Sequence, residues 1–173
     1  MDNWETTEAL EPIAIIGMAG QFPGAKNVKQ FWQNLCDGIE SISFFTDEEL
    51  LAAGVDPALL RNPNYVKANA VLTDIEMFDA SFFGFTPREA KAMDPQHRLL
   101  LECAWNTLET AGYDPKTYEG RIGIYAGANM STYLYRNLVS NPELLADVDF
   151  DVIQQQDPIS LGNDRDYLTT RIS

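Results

Sequence analysis

The sequence predicts an α/β fold, because two apolar runs are separated by segments with helical patterning. Residues 12–17 (PIAIIG) and 121–126 (RIGIYA) are apolar and rich in isoleucine, which is typical of strands buried in a sheet. A glycine-containing loop and an amphipathic helix follow the first run, so strand, turn and helix form an α/β unit. With 173 residues, of which 45% are hydrophobic, the chain is long enough for one domain with a core.

The first helices are predicted between residues 27 and 60. Asn27 is placed to cap a helix whose apolar residues recur at helical spacing. These residues are Val28, Phe31, Trp32, Leu35, Cys36 and Ile39. Two short helical turns are predicted at 47–53 and 57–60, where glycine and proline residues bound the segments.

Two helix starts with the same design follow each other closely. Thr86 is a cap residue with proline at the next position and Glu89 three residues after the cap, which is the pattern of a capping box. Asp94 and Pro95 repeat the arrangement, and Gly112 supplies a natural C-terminal stop. The stretch 92–105 (AMDPQHRLLLECAW) is therefore predicted to contain a junction between two helices.

The remainder of the chain is predicted to be less regular. A short helix that carries Tyr133, Leu134 and Leu138 follows the second apolar run. An acidic loop is predicted at 142–158, and the last eleven residues, 163–173 (NDRDYLTTRIS), have a helix-like pattern.

The charge balance excludes two classes of partner. Twelve Lys and Arg residues against 26 Asp and Glu residues give a formal net charge of −14, which repels nucleic-acid phosphates and anionic membranes. No stretch is apolar and long enough to cross a bilayer, and residues 1–10 are acidic where a secretory signal would be basic and then apolar. We therefore predict a cytoplasmic protein with an acidic leader at 1–10, one domain at 11–173, and no nucleic-acid or membrane partner.

The residues that could bind a metal or a phosphate lack the required spacing. A dinucleotide fingerprint that starts at Gly17 would need glycine where Ala19 and Phe22 stand, and a P-loop would need glycine in place of Ala25. The acidic residues at 147, 149 and 151 have calcium-loop spacing, but Val152 and Pro158 replace the glycine and glutamate of that loop. One histidine and no CxxC pair exclude a structural zinc site. A tight turn and a solvated acidic surface are predicted instead.

The only histidine, His97, lies near Cys103, and this pair is the one candidate for nucleophilic catalysis. Six residues on one helix separate them by roughly 9 Å along the axis and about 240° around it, so they do not share a proton. Cys103 lies among apolar helix positions, and with Cys36 it is predicted to be a buried free thiol. His97 lies in the first helical turn, where the helix dipole favours a neutral ring, and is predicted to be a surface or junction residue.

Four runs of this sequence resemble a known family in order. They are PIAIIGMAGQFPGAKNVKQFWQNLCDG, FDASFFGFTPREAKAMDPQHRLLLECAWNTLETAGYDP, RIGIYAGANMSTY and GNDRDYLTTRIS. From residue 11 onward the chain is similar to the first part of the β-ketoacyl synthase (ketosynthase) domains of modular type I polyketide synthases. The most specific run is FFGFTPREAKAMDPQHRLLLE, and ketosynthases of free-standing fatty-acid systems are less similar.

The resemblance implies a thiolase-like fold, in which two βαβαβαββ halves form a five-layer αβαβα domain that is usually dimeric. Residues 13–17 and 122–126 would be neighbouring strands of the N-terminal half. The implied reaction, in polyketide and fatty-acid biosynthesis, is a decarboxylative Claisen condensation of an enzyme-bound acyl thioester with a malonyl-type extender. The implied partners are an acyl carrier protein, which presents the extender on its phosphopantetheine arm, and other polyketide synthase domains. No cofactor would bind to the chain directly.

The same resemblance assigns no catalytic residue to this chain. The family nucleophile lies in a TACSS-type motif that would follow Ser173, and two catalytic histidines would lie further on, so Cys36, Cys103 and His97 take none of these roles. The chain is therefore expected to end before the catalytic cysteine and to be inactive alone. Met130 matches a position that lines the acyl pocket in related synthases, and a core methionine is the equal alternative. A non-catalytic docking module derived from a ketosynthase is the second functional hypothesis.

Overall fold

Helices dominate the computed structural model, which describes residues 12–141 and 158–173. The α-helices are α1 (Val28–Cys36), α2 (Asp47–Ala52), α3 (Pro57–Leu60), α4 (Pro87–Ala92), α5 (Pro95–Ala111) and α6 (Pro158–Asn163). A π-helical turn covers Leu134–Leu138, and a 3-10 turn covers Arg165–Tyr167. Two short strands, β1 (Ser43–Phe44) and β2 (Ala68–Asn69), pair antiparallel with Ser43 opposite Asn69.

The predicted helix starts are confirmed, because each depends on a local hydrogen bond. The Asn27 side chain accepts a bond from the backbone N–H of Gln30 at 2.9 Å, and this caps α1. At α4 the Thr86 hydroxyl accepts from the backbone N–H of Glu89 at 3.2 Å, while the Glu89 carboxylate accepts from the backbone N–H of Thr86 at 2.8 Å. This reciprocal pair is the predicted capping box.

Helix α5 also begins and ends as predicted. Asp94 accepts from the backbone N–H of Gln96 at 2.8 Å, and Pro95 occupies the first helical position. Gly112 ends the helix with φ 74°, a left-handed conformation that a side chain would disfavour. The helical turns predicted at 47–53 and 57–60 are α2 and α3.

The helix predicted from residue 163 onward is wrong in its position. Asn163 is the last residue of α6, and the chain then leaves the helix at Asp164, whose φ of −89° and ψ of 125° are extended. The Asp164 carboxylate accepts from the backbone N–H of Asp166 at 2.9 Å and so caps the separate 3-10 turn. The cap at Asp164 therefore separates α6 from the 3-10 turn, within a segment that the sequence pattern treats as one helix. The predicted acidic loop at 142–158 lies outside the described residues, apart from Pro158, which begins α6.

The two strands predicted at 12–17 and 121–126 do not form. Within residues 12–141 and 158–173, neither segment makes backbone hydrogen bonds to a neighbouring strand. Ile13 is 97% exposed and Tyr125 is 99% exposed. A buried strand needs a paired neighbour for its backbone and a covering layer for its side chains, and the described segments supply neither.

The prediction that both thiols are buried is wrong for Cys36, and Cys103 is only half-buried. This residue ends α1, and its side chain is exposed. Much of the apolar face of α1 is uncovered, since Trp32 and Leu35 are also exposed, whereas Phe31 packs against Phe22. Helical periodicity identified the face correctly, but it says nothing about whether another element covers it.

The buried centre lies where α4, α5 and α6 meet. Met93, in the junction between α4 and α5, and Leu138 are fully buried, and Leu168 and Leu101 are nearly so. Gly162 lets the backbones approach, because a Cβ at this position would lie 2.9 Å from the Met93 Cα. The backbone N–H of Asp94 donates to the Gly162 carbonyl at 2.9 Å.

Buried polar groups surround these apolar side chains. They are Asp94, His97, Arg98, Ser131 and Asn163. A polar group buried this deeply needs a hydrogen-bond partner, and the side chains of Asp94, Ser131 and Asn163 have one, whereas His97 Nδ1 and Arg98 Nε have none among the described residues. Among the described helices, none has the length and apolar character that a membrane span requires.

Candidate functional site

Two open clefts meet at Met130, the one residue that the sequence placed in a substrate site. The first cleft, of about 840 Å³, lies between the start of α5 and the segment 129–137. The second lies between that segment and the residues 160–165 at the end of α6. Met130 borders both clefts and is 68% exposed, so it is not a core methionine. Its contact with an acyl substrate stays a prediction.

The segment beside Met130 is held to the start of α5 by a pair of hydrogen bonds. The backbone N–H of Asn129 donates to the Gln96 side-chain oxygen at 3.0 Å, and the Gln96 amide donates to the Asn129 carbonyl at 3.4 Å. Gln96 thus satisfies both polar groups of one residue, as a neighbouring strand would. The methionine that follows is positioned by the first turn of α5.

A second set of hydrogen bonds holds the other side of Met130. The Ser131 hydroxyl donates to the Asn163 side-chain oxygen at 2.9 Å and accepts from the backbone N–H of Leu134 at 3.1 Å. The Asn163 amide donates to the carbonyls of Ala92 at 2.7 Å and of Ile159 at 2.8 Å. One asparagine therefore connects the end of α4, the segment next to Met130, and α6.

A tyrosine adds a third connection to α4. The Tyr133 hydroxyl donates to the Lys91 carbonyl at 2.7 Å, and its ring lies over the guanidinium of Arg98, with 6.0 Å between Cζ and the ring centroid. The Lys91 carbonyl belongs to the last turn of α4, where carbonyls lack a helical partner. Tyr133 therefore satisfies a helix end and lines the first cleft with its ring.

His97 is buried, and the prediction that it is a surface residue is wrong, although it does lie at the helix junction. It is 3% exposed, and its Nδ1 atom has no hydrogen-bond partner among the described residues. Burial lowers the pKa of His97 below 6.5, with a smaller lowering from Arg171, while Asp94 and Asp164 oppose the shift. A neutral ring follows, as predicted, but burial rather than the helix dipole is its main cause.

The structure does not bring His97 and Cys103 together. Within the described residues no hydrogen bond joins them, and Cys103 is only half-buried, on a later turn of α5. Burial raises the pKa of the Cys103 thiol above 9.0, and the neighbouring Glu102 raises it further. A thiol that stays protonated at neutral pH is a poor nucleophile.

The glycine-containing loop before α1 forms the predicted tight turn. Phe22 and Ala25 exchange two backbone hydrogen bonds of 2.8 and 2.9 Å, and Gly24 between them has φ 70°. The Phe22 ring stacks on Phe31 of α1 with 4.1 Å between the centroids. The backbone groups of Phe22 and Ala25 are therefore used inside the turn.

In the described part of the chain, no three His, Cys, Asp or Glu side chains converge as a metal site would require, and residues 147, 149 and 151 lie outside that part.

The sequence matches a family described as "β-ketoacyl synthase, N-terminal domain" over residues 10–173. One subunit of a phenolphthiocerol/phthiocerol polyketide synthase from Mycobacterium tuberculosis is 48% identical over 165 residues, which cover 93% of this chain and 11% of that protein. Polyketide synthase PksN from Bacillus subtilis is 42% identical over 123 residues, which cover 71% of this chain and 2% of that protein. The chain thus spans a small part of the length of these relatives.

Solved structures of ketosynthase domains are also similar. Ketosynthase twelve of the bacillaene synthase from Bacillus amyloliquefaciens matches with a TM-score of 0.50 and 47% identity, over 56% of this chain and 17% of that one. The module 6 ketosynthase of the bacillaene synthase from Bacillus subtilis matches with a TM-score of 0.51 and 38% identity, over 60% and 17% of the two chains. These neighbours have the thiolase-like fold that the sequence predicts, and the chain corresponds to the N-terminal part of it.

The burial of His97 predicts an acid-sensitive stability. The pKa of His97 is higher in the unfolded chain than in the folded chain. The contribution of the neutral ring to folding stability is therefore fully present above about pH 6.5, and it is lost as the pH falls through the lower pKa of the folded state. In urea unfolding between pH 7.5 and 5.5, we expect the wild type to lose more stability than His97→Gln, which keeps a neutral polar side chain. Equal losses in the two proteins would show that His97 is not titrating from a buried neutral state.

Proposed function

Because the chain belongs to the family of β-ketoacyl synthase N-terminal domains, we propose that it forms the N-terminal part of a polyketide ketosynthase. In the proposed reaction, a cysteine thiolate displaces the carrier thiol from an acyl thioester. A carrier-bound malonyl-type unit then loses carbon dioxide, and its carbanion attacks the acyl carbonyl and expels the cysteine thiolate. The match over residues 10–173 is the observation that carries the proposal, and the polyketide synthase relatives support it.

Met130 is the residue of this chain that we propose to contact the acyl group. Its exposed thioether lies between two clefts, and the neighbouring backbone is held on both sides by Gln96 and Asn163. A flexible, polarisable side chain on a fixed backbone can adjust to acyl chains of different shape. The position therefore suits a residue that lines a pocket for apolar chains.

We propose no catalytic role for the chain's own cysteines and histidine. Burial and Glu102 raise the pKa of the Cys103 thiol, and His97 lies in the buried helix junction with no hydrogen bond to either cysteine among the described residues. The TACSS-type motif that the family resemblance assigns to the nucleophile does not occur in the 173 residues. The chain alone is therefore proposed to be inactive as an acyltransferase.

The proposed ketosynthase function also implies particular partner proteins. An acyl carrier protein would present the extender on a phosphopantetheine arm, and other polyketide synthase domains and a second copy of the complete domain would be neighbours. We place the protein in the cytoplasm. The net charge of −14 requires the positive residues to cluster wherever an acidic carrier docks.

The first test is acylation of the isolated chain. After incubation with an acyl N-acetylcysteamine thioester at pH 7.5, intact-mass spectrometry should show acylation of Cys36 and Cys103 no faster than in the urea-unfolded chain. The exposed Cys36 makes this unfolded control necessary, because a free surface thiol reacts slowly without catalysis. Folded-state acylation that exceeds the unfolded rate at either cysteine would contradict the proposed inactivity.

The second test is proximity labelling at Met130. An octanoyl pantetheine with a diazirine on its last carbon should, on irradiation, label a peptide that contains residues 129–134. Met130→Ala should remove most of this labelling, because the side chain that contacts the probe is gone. Met77→Ala is the matched control, since Met77 is a similarly exposed methionine that lines a different cleft. Undiminished labelling in Met130→Ala would remove Met130 from the acyl site.

A further inference from the structure

Arg98 is a buried cation whose guanidinium has no acceptor in the described part of the chain. It lies in the first turns of α5, is 9% exposed, and borders the first cleft. Its Nε atom is buried without a hydrogen-bond partner. Its Nη atoms make no hydrogen bond to the described residues either, and unlike Nε they are not fully buried. A buried guanidinium in this condition is costly unless an acceptor reaches it.

The carboxylates nearest to Arg98 are already committed or out of reach. Asp94 accepts from the backbone N–H of Gln96 at 2.8 Å as the cap of α5. Glu102, one turn further along α5, feels the charge of Arg98, yet its carboxylate accepts from the Gln21 amide at 3.4 Å. Within residues 12–141 and 158–173, no carboxylate oxygen lies within 4.0 Å of the Arg98 guanidinium. The described protein thus gives the Arg98 guanidinium no direct ion pair, and only the Tyr133 ring and the more distant Glu102 carboxylate interact with its charge.

The cleft itself has the chemistry of a site for an amphipathic anion. Arg98 lies on one side of the cleft and Lys91 adds a second cation, while the N-terminal end of α5 is already capped by the Asp94 carboxylate, which also borders the cleft. The ring of Tyr133 and the side chain of Met130 supply an apolar wall. Glu76 also borders the cleft, and its exposed position leaves its charge in contact with solvent.

We propose that this cleft binds the carboxylate of a small organic acid with a short apolar chain. The two Nη groups of Arg98 donate to the two carboxylate oxygens, and the apolar chain lies against Met130 and Tyr133. A carboxylate is favoured because its two oxygens match the planar fork of a guanidinium. Binding at this site is non-covalent and does not require that the chain takes part in acyl transfer. The binding proposal can therefore be tested independently of the proposed condensation.

The direct test observes the Arg98 side chain in the wild-type chain. In protein labelled with ¹⁵N-arginine, the Nε–H resonance of Arg98 is the one that disappears in Arg98→Lys. Hexanoate should shift this resonance saturably, whereas equal concentrations of the neutral hexanamide and of sodium chloride should not. Binding is therefore read in the wild type, and the variant serves only to assign the resonance.

Calorimetric titration of variants gives the second readout. Arg98→Lys keeps the charge but loses the planar fork, and it should weaken hexanoate binding roughly tenfold. Arg61→Gln, which removes an exposed arginine outside the cleft, should leave binding unchanged. An Nε–H resonance that does not respond to hexanoate, equal shifts with hexanamide or chloride, or tighter binding of inorganic phosphate would overturn the proposal. None of these outcomes bears on the Met130 labelling experiment, so the two proposals fail independently.

Discussion

One buried amide, that of Asn163, holds together segments that lie far apart in the sequence. It donates to the carbonyl of Ala92, 71 positions earlier, and accepts from the hydroxyl of Ser131, 32 positions earlier. Each of these groups is buried, and each would lose a hydrogen bond if the amide were removed. The close approach at Gly162, next to it, allows α6 to reach the helix junction at Met93. The junction thus combines buried apolar side chains, such as Met93, with the polar contacts of Asn163.

The site features follow from this junction. Met130 lies between Asn129, which Gln96 holds, and Ser131, which Asn163 holds, so both of its neighbours are fixed while its side chain stays free. The same packing removes His97 from solvent and leaves Arg98 only 9% exposed at the border of the first cleft. The proposed pocket for an acyl chain and the proposed carboxylate site thus both depend on how α5 begins.

The sequence predicts the features that depend on neighbouring residues, such as helix starts, and misses those that depend on contacts with distant segments, such as burial and strand pairing. Helix starts at Asn27, Thr86 and Asp94 depend on hydrogen bonds within three residues, so their patterns were sufficient. Burial of Cys36 and formation of the strand at 121–126 depend on elements that must cover or pair with them, and local periodicity carries no information about these. His97 and Asn163 are buried by tertiary packing, and only the family resemblance pointed to Met130.

The most direct test of this account is the stability of Asn163→Ala against that of Asn64→Ala, a change at an exposed turn position. Urea unfolding should show a loss of about 2 kcal/mol for Asn163→Ala, because buried partners lose their hydrogen bonds, and less than about 0.5 kcal/mol for Asn64→Ala. Adding Ser131→Ala should show a coupling of about 0.5–1 kcal/mol with Asn163. Equal, small effects of the two asparagine changes, without coupling to Ser131, would contradict the claim that this amide holds the junction.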